Sequence, residues 1–291
     1  MRLRILHETA YGYAAPASRA IQILRLTPRG HDGQFVVNWR IDVDRDCRLQ
    51  SSTDPFGNRV HSFTVEGPLD GLVITAEGDV ETQDMTGVVR DQVERVPAGV
   101  FLRETPLTAD DPDIRTFADD VAASAGKNPL DVFHALMLAI RSRMSFVVNA
   151  TDSGTSAVEA FAHGNGVCQD FAHVFIAAAR HLGHPARYVG GYLFQPALVQ
   201  QQAQGAGGQS QSLAPTAAQD AGHAWAEAMV PGLGWVGFDP ANGVSPTDAY
   251  VRVAVGLDYL GAAPVRGTRY GGSGESLSVK VVVQDATRGG R

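Results

Sequence analysis

Cysteine is scarce in this chain, and long hydrophobic runs are missing from it. Cys47 and Cys168 are the only cysteines among 291 residues, and they form no Cys-x-x-Cys pair. This excludes a disulfide-rich scaffold and a paired-cysteine zinc site, so we expect free thiols instead of a single Cys47–Cys168 bridge. No apolar run is long enough for a signal peptide or a membrane span. We therefore expect a cytoplasmic protein that has no membrane partner.

An excess of positive charge is missing as well. The chain has 24 Lys and Arg against 31 Asp and Glu, a formal net charge of −7. A nucleic-acid-binding protein usually carries a basic face, so we expect no nucleic-acid partner. Hydrophobic residues make up 44% and charged residues 19%, as in a globular protein with a real core. At roughly 100–200 residues per domain, the length indicates about two domains.

The first part of the chain, residues 1–105, has the pattern of an antiparallel β-sandwich-like domain. Short segments there are rich in Val, Ile, Leu, Phe and Thr, and several of them alternate. Turn residues such as Asp54-Pro55-Phe56-Gly57-Asn58 separate the segments. The predicted strands lie near residues 2–9, 20–27, 34–43, 59–66 and 72–81.

The pattern changes after Pro106, and residues 106–291 are predicted to form a second domain of the α+β class. Asp111-Pro112 and Asn128-Pro129 each begin a helix, with proline at its first position. A third helix begins near Cys168 and stops before Gly183. Strand-like segments follow at residues 187–193, 224–230 and 235–239, with a tail strand at 277–284.

Cys168 is the candidate nucleophile because it lies in the first turn of a predicted helix. Backbone N–H groups are unpaired there and the helix dipole is positive, and both effects stabilise the reactive thiolate. The same N–H groups can hold an oxyanion, and the preceding glycines let a substrate approach closely. A buried structural cysteine is the alternative. The neighbours that could contact substrate or oxyanion are Asn165, Gly166 and Gln169.

His223 and Asp239 are the histidine and the acid that could complete a triad with this thiol. A thiolate needs an imidazole beside it, and the imidazole needs an acid that orients it. His223 begins one predicted strand, Asp239 ends the next, and the loop Pro231-Gly232-Leu233 lies between the two strands. A three-residue loop places Asp239 opposite Trp225 and diagonal to His223 on one face. A two-residue loop would separate His223 from Asp239.

Two further residues near this site have alternative interpretations. His173 comes five residues after Cys168, about 140° around the helix, so it cannot easily face the thiol. Trp225 shares the face of His223, so it either forms a wall of the substrate site or packs in the core.

The segment from Gln195 to Gly222 is a predicted loop. It is rich in Gln, Ala, Gly and Ser and has no hydrophobic periodicity, so it cannot bury enough apolar surface to order itself. Because it ends beside His223, we expect a mobile gate over Cys168. A neutral surface insertion is the alternative, since long surface loops cost little free energy.

Three segments, in the order nucleophile, base and acid, resemble the motifs of bacterial transglutaminase-like proteins. The β-rich N terminus is similar to the accessory domain that bacterial members carry, so the resemblance spans most of the chain. The three segments are Gly164-Asn165-Gly166-Val167-Cys168-Gln169-Asp170-Phe171-Ala172-His173, Gly222-His223-Ala224-Trp225-Ala226-Glu227 and Gly234-Trp235-Val236-Gly237-Phe238-Asp239-Pro240-Ala241-Asn242-Gly243.

The resemblance implies a papain-like α+β core with Cys168 as nucleophile, His223 as base and Asp239 as orienting acid, and no metal or organic cofactor. The chain departs from the animal crosslinking enzymes, which carry a tryptophan upstream of the nucleophile near the oxyanion. Its own tryptophans lie at 39, 225 and 235, and the upstream glutamine of papain-type proteases is absent between Phe146 and Cys168. The second oxyanion donor is therefore unassigned, and hydrolysis and transfer to amines both stay open.

Two functions from different classes follow. The first is an enzyme that forms a thioester on Cys168 from a peptide or protein amide, which water or an amine then resolves. The second is a catalytically silent peptide-binding module on the same scaffold. The presence of Cys168, His223 and Asp239 together favours the enzyme, because a binding module does not need all three. A metal hydrolase is disfavoured because no His-Glu-x-x-His or paired ligand spacing occurs.

Overall fold

The fold is taken from a computed structural model, which describes residues 1–90, 94–195 and 222–287. The antiparallel β-structure predicted for the N terminus is confirmed, but four of the predicted strands are halves of two long ones. Strand β1 (Arg2–Thr27) pairs with β4 (Arg59–Thr82), and the register of this pairing shifts at several places, such as between Gly12 and Ala17. These shifts replace the expected turns, so each strand bends without ending. The four strands are β1 (Arg2–Thr27), β2 (Gln34–Val43), β3 (Gln50–Thr53) and β4 (Arg59–Thr82).

Both halves of the two bent strands contribute to one apolar core. Leu24 and Phe63 come from the paired second half of β1 and first half of β4, and Leu72 and Ile74 come from the other half of β4; all four lie in one buried cluster. The sheet therefore folds over its own core, as a sandwich does.

The predicted helices begin where their capping residues indicated. The Asp111 side chain accepts hydrogen bonds from the backbone N–H groups of Asp113 (2.9 Å) and Ile114 (3.1 Å), and Asn128 caps the next helix at Leu130 (3.2 Å). Two short helices had not been predicted from the sequence. In the described part of the chain the helices are α1 (Pro112–Ala125), α2 (Pro129–Arg143), α3 (Ala157–His163), α4 (Cys168–His181) and α5 (Tyr259–Ala262).

Helix α4 packs on a second, antiparallel sheet. Its strands are β5 (Val88–Val89), β8 (Ala186–Leu193), β9 (His223–Val230), β10 (Gly234–Phe238) and β11 (Tyr250–Gly256), in the spatial order β11-β8-β9-β10-β5. The alternation along β9 explains this packing, because Ala224, Ala226 and Ala228 belong to the core cluster that contains α4, whereas Trp225 belongs to a different cluster. A short parallel pair, β6 (Ser145–Phe146) with β7 (Asn165–Gly166), precedes α4.

The chain returns to the first sheet at its C-terminal end. The tail strands β12 (Val265–Tyr270) and β13 (Ser273–Asp285) both pair with β1, so the predicted tail strand extends the N-terminal sheet. In the other direction, β5 from the N-terminal part pairs with β10 of the second sheet. The two predicted units, 1–105 and 106–291, thus exchange strands. Of the predicted loop, residues 196–221 lie outside the described residues.

The helices are short. Within the ranges 1–90, 94–195 and 222–287, the longest helix has 15 residues, and none combines the length and apolarity that crossing a bilayer requires.

Candidate active site

Cys168 is the first residue of helix α4, as its sequence context predicted. The Val167 carbonyl accepts the first hydrogen bonds of the helix, from the N–H groups of Asp170 (2.9 Å) and Phe171 (3.2 Å). The N–H groups of Cys168 and Gln169 come before these donors, so they have no acceptor within the helix and form its positive end. Cys168 is a half-buried free thiol at that end.

The hairpin of β9 and β10 has the register that a three-residue loop requires. Val230 pairs with Gly234, and Ala226 pairs with Phe238 at the other end of the ladder. The next residues in register are Trp225 and Asp239, as predicted. This register brings His223 and Asp239 together, with 2.7 Å between His223 Nε2 and Asp239 Oδ2.

Asp239 is fully buried, and both of its oxygens are occupied. Oδ1 accepts the backbone N–H groups of Ala241 (3.0 Å) and Asn242 (3.1 Å). Besides His223, Oδ2 accepts the side-chain amide of Asn242 (2.7 Å) and the hydroxyl of Tyr250 (2.8 Å). Burial alone would raise the pKa of Asp239, but these bonds and the charge of His223 hold that pKa below its usual value, so the group is a carboxylate.

His223 lies beside Cys168, and both residues line the same two cavities. Because Nε2 contacts Asp239, Nδ1 is the ring nitrogen left for the sulfur. Burial disfavours the charged ring, but the hydrogen bond to Asp239, the charge of Asp239 and the interaction with Cys168 outweigh it and raise the pKa of His223 to about 10. The ring is therefore a cation at neutral pH, beside a sulfur at the positive end of a helix.

Trp225 supports the His223 ring from within the core. The two rings stack with 6.2 Å between their centroids, and Tyr250 lies 5.8 Å from His223. Only 2% of Trp225 is exposed, and it clusters with Val189 and Val255. This position favours core packing over contact with substrate, the second of the two interpretations open from the sequence.

Two cavities meet at Cys168 and His223. The larger, of about 1730 Å³ including its open mouth, is lined by polar side chains such as Arg141, Asn149 and Asn242 and also by Phe146. The smaller, of about 860 Å³, is mainly apolar. Cys168 and His223 are therefore open to two separate cavities.

Comparisons with known proteins agree with this geometry. Residues 3–81 match the bacterial transglutaminase-like N-terminal region, and residues 115–240 match the transglutaminase-like superfamily. An uncharacterized protein of Mycobacterium tuberculosis is 30% identical to this chain over 97% of the chain and 92% of its own length. Another, from Mycobacterium leprae, is 29% identical over 97% and 98%. The chain belongs to the transglutaminase-like superfamily.

A solved structure shows the same fold as this transglutaminase-like protein. A candidate cysteine protease from Cytophaga hutchinsonii has a TM-score of 0.73 at 22% sequence identity, over 98% of this chain and 91% of that one. The α+β class, with an N-terminal antiparallel sheet and a papain-like core, is thereby confirmed.

The remaining candidate residues of this transglutaminase-like protein lie before and within the first turn of α4. The Asn165 side chain donates to the His163 carbonyl (3.2 Å), and buried Gly166 accepts from the Val147 N–H (2.9 Å), so both hold the turn before the helix. Gln169, in contrast, lines the smaller cavity beside Cys168. His173, which the sequence placed away from the thiol, is fully buried and accepts the Tyr259 N–H (3.1 Å).

Three residues of this transglutaminase-like site were not assigned a role from the sequence. Asn242 lies three residues after Asp239 within the acid motif, and Tyr250 lies at the start of a strand that was not predicted. Asp170 is the third residue of α4, and its Oδ2 accepts the Val167 N–H (2.7 Å) and the Thr151 hydroxyl (2.6 Å). An acidic residue at this position of a helix is a capping signal that could have been read from the sequence. Tyr250 had no such signal.

Proposed function

We propose that this protein is a cysteine-nucleophile acyl-transfer enzyme that acts on peptide or protein amides through a thioester on Cys168. The observation that carries the proposal is the position of the His223 ring, which hydrogen-bonds to buried Asp239 through Nε2 and lies beside Cys168, with which it lines both cavities. This order of nucleophile, base and orienting acid is the arrangement that covalent acyl transfer requires.

The first half of the reaction would consume the amide. Cys168 Sγ attacks the carbonyl carbon, a C–S bond forms, and the carbonyl electrons move to the oxygen. The backbone N–H of Cys168, at the unpaired start of the helix, would donate to this oxyanion. When the C–N bond breaks, the His223 cation gives its proton to the leaving amine, and the thioester remains.

The second half would release the thiol. His223, now neutral, takes a proton from water or from an amine as that nucleophile attacks the thioester. The C–S bond breaks, Cys168 leaves as a thiolate, and the product is an acid or a new amide. Hydrolysis and amine transfer share the same residues up to this step, because both start from the thioester. Both cavities open onto Cys168.

Selective labelling of Cys168 tests the proposal, with Cys47 as a matched control within the same chain. Burial and the nearby Asp46 raise the pKa of Cys47, so its thiolate is scarce at neutral pH. We expect iodoacetamide to label Cys168 at least about 10-fold faster than Cys47, because thiolate content sets the rate. Peptide mapping by mass spectrometry measures both rates in one sample.

Turnover is the second readout. Peptide amides, glutamine amides and an amine acceptor would be tested against the wild type, Cys168→Ala and Cys47→Ser. Cys168→Ala should abolish release of the amine with an unchanged melting temperature, and Cys47→Ser should retain it. Saturable peptide binding without turnover in the wild type would support the silent binding module instead.

A further inference from the structure

One face of the N-terminal sheet closes a side of the candidate site. In the antiparallel pair of β1 and β13, Tyr11 is opposite Leu277 and Thr9 is opposite Val279. Directly opposed residues share a face of a sheet, and side chains alternate along each strand. The odd-numbered residues of both strands therefore point the same way. The sheet wall comprises Thr9, Tyr11, Leu277, Val279, Val281 and Val283.

The sheet wall runs past Cys168 and lines both cavities. Tyr11, Leu277 and Val279 line the smaller cavity, whereas Val281 and Val283 line the larger one. Cys168 and His223 line both. The wall thus continues from one cavity into the other, and Cys168 lines both of them.

The smaller cavity has the chemistry of an apolar side-chain pocket. Beyond the sheet wall, it is lined by the rings of Tyr188 and Tyr259 and by Pro264 and Val265. Ligand pockets are mostly lined by apolar and aromatic groups, as this cavity is. The larger cavity differs, because Arg141, Asn149 and Asn242 give it polar groups.

Leu277 is the residue that core packing does not explain. It is 58% exposed at this cavity, whereas Val281 on the same face is only 8% exposed. Around Leu277 and Val279 the alternate residues are Ser276, Ser278 and Lys280, so the opposite face of this part of β13 is polar, as an exposed edge strand usually is. An apolar side chain left open beside a nucleophile indicates a surface that a ligand covers.

We propose that the sheet wall is the substrate platform and that the smaller cavity is an apolar subsite. This subsite binds a bulky aliphatic or aromatic side chain of the peptide, next to the acyl group that reacts with Cys168. The proposal rests on the proposed function of Cys168, and it assigns substrate selection to the accessory sheet.

Peptidyl electrophiles that differ in one side chain test this proposal directly. The probes carry a thiol-reactive group, with Phe, Leu, Gly or Asp at each of the two positions next to it. The rate constant for modification of Cys168, followed by mass spectrometry, should be roughly 10–100-fold higher for Phe or Leu than for Asp at one of these positions. Equal rates across the series at both positions would overturn the proposal.

Leu277→Glu and Ser278→Glu form a matched pair, since each adds the same charge to an exposed position of β13 on opposite faces. Leu277→Glu should slow the Phe probe at least about 10-fold and reduce the preference over Asp, because a carboxylate in an apolar pocket is disfavoured. Ser278→Glu should leave both rates near the wild type. Equal effects of the two variants would contradict the sheet wall as platform.

Iodoacetamide separates failure of this proposal from failure of the proposed function. It is too small to need the subsite, so its rate at Cys168 in Leu277→Glu measures the direct effect of the added carboxylate on the thiol. The ratio of the Phe-probe rate to the iodoacetamide rate should still fall at least about 10-fold in this variant, and an unchanged ratio would overturn the subsite. Should Cys168 react no faster than Cys47 in the wild type, the proposed function itself fails. Tyr11→Ala, which enlarges the pocket without adding charge, provides a second variant in which the Phe preference should weaken.

Discussion

The carboxylate of Asp239 sets the protonation state of His223. Against the opposing effect of burial, its bond to Nε2 and its charge act together with Cys168 to raise the pKa of that ring to about 10. Asp239 keeps its negative charge while buried because Asn242 and Tyr250, which are both neutral, donate hydrogen bonds to its carboxylate. The aromatic rings of Trp225 and Tyr250 hold the imidazole in place.

Asp239→Asn should lower kcat/KM by roughly 10²–10⁴-fold, the usual range for loss of a general acid–base contribution. The pKa of His223 should fall because the negative charge is gone. His223 would then lose its proton at lower pH, so the alkaline limb of the pH–activity profile should move to lower pH. Stopped-flow assays across the pH range measure the limb.

Tyr250→Phe is the control for this residue, because it removes a neutral donor to Asp239 and keeps the charge. Its alkaline limb should stay closer to that of the wild type. An Asp239→Asn enzyme with an unmoved limb would show that Asp239 does not control the His223 proton.

At the scale of the element, the start of helix α4 depends on a close contact between Gly166 and Asp170. A Cβ added at Gly166 would lie 2.5 Å from Asp170 Oδ2 and 2.7 Å from its Cβ, far inside normal contact. The same carboxylate holds the Val167 N–H and the Thr151 hydroxyl, which fix the turn before Cys168. Glycine is thus needed here for space.

Gly166→Ala should destabilise the fold by about 1–3 kcal/mol, through overpacking and loss of buried hydrogen bonds. It should also slow alkylation of Cys168, since the first turn of α4 moves. Gly99→Ala is the matched control, because a Cβ there meets no atom within 4 Å. Urea unfolding and iodoacetamide rates would be compared for the two variants, and equal stabilities would refute the packing argument.

At the scale of the whole molecule, two buried histidines connect distant parts of the chain in their neutral form. His7 of β1 contacts the hydroxyl of Tyr192 in β8 (3.0 Å), and His173 of α4 accepts the Tyr259 N–H (3.1 Å). Burial lowers the pKa of His7 to about 4; burial, with the nearby Arg180, lowers that of His173 to about 3. Both lie well below the value of 6.5 for an unshifted histidine.

Stability should therefore fall as the pH drops below about 6.5, because the unfolded chain binds protons that the folded one does not. Each histidine contributes a slope of up to about 1.4 kcal/mol per pH unit in this window. His223 has the opposite sign: its raised pKa stabilises the fold fully below 6.5, and this contribution is lost as the pH rises towards 10.

Urea unfolding between about pH 7 and pH 5 measures the acid slope. His7→Gln should reduce the slope by up to about 1.4 kcal/mol per pH unit, because it removes one of these protons. A free energy of unfolding that is flat over this window would mean that these rings are protonated in the folded state.

The sequence by itself determined the local features of the site. The start of α4 follows from its glycines and capping signals, and the alternation of alanines with His223 and Trp225 in β9 gives the strand a helix-facing and a site-facing side. The loop length set the register between β9 and β10, which joins His223 to Asp239. Each of these depends on neighbours a few residues apart, so periodicity and turn chemistry suffice to predict it.

Only the tertiary structure decided what surrounds these residues. The continuation of β1 and β4 through bulges, the reach of Tyr250 to Asp239, and the return of β13 to β1 beside the cleft had no local signal. The physical reason is that such pairings join residues far apart in the chain. The free energy that selects one partner comes from burying a shared face, which a pattern within a single segment does not specify.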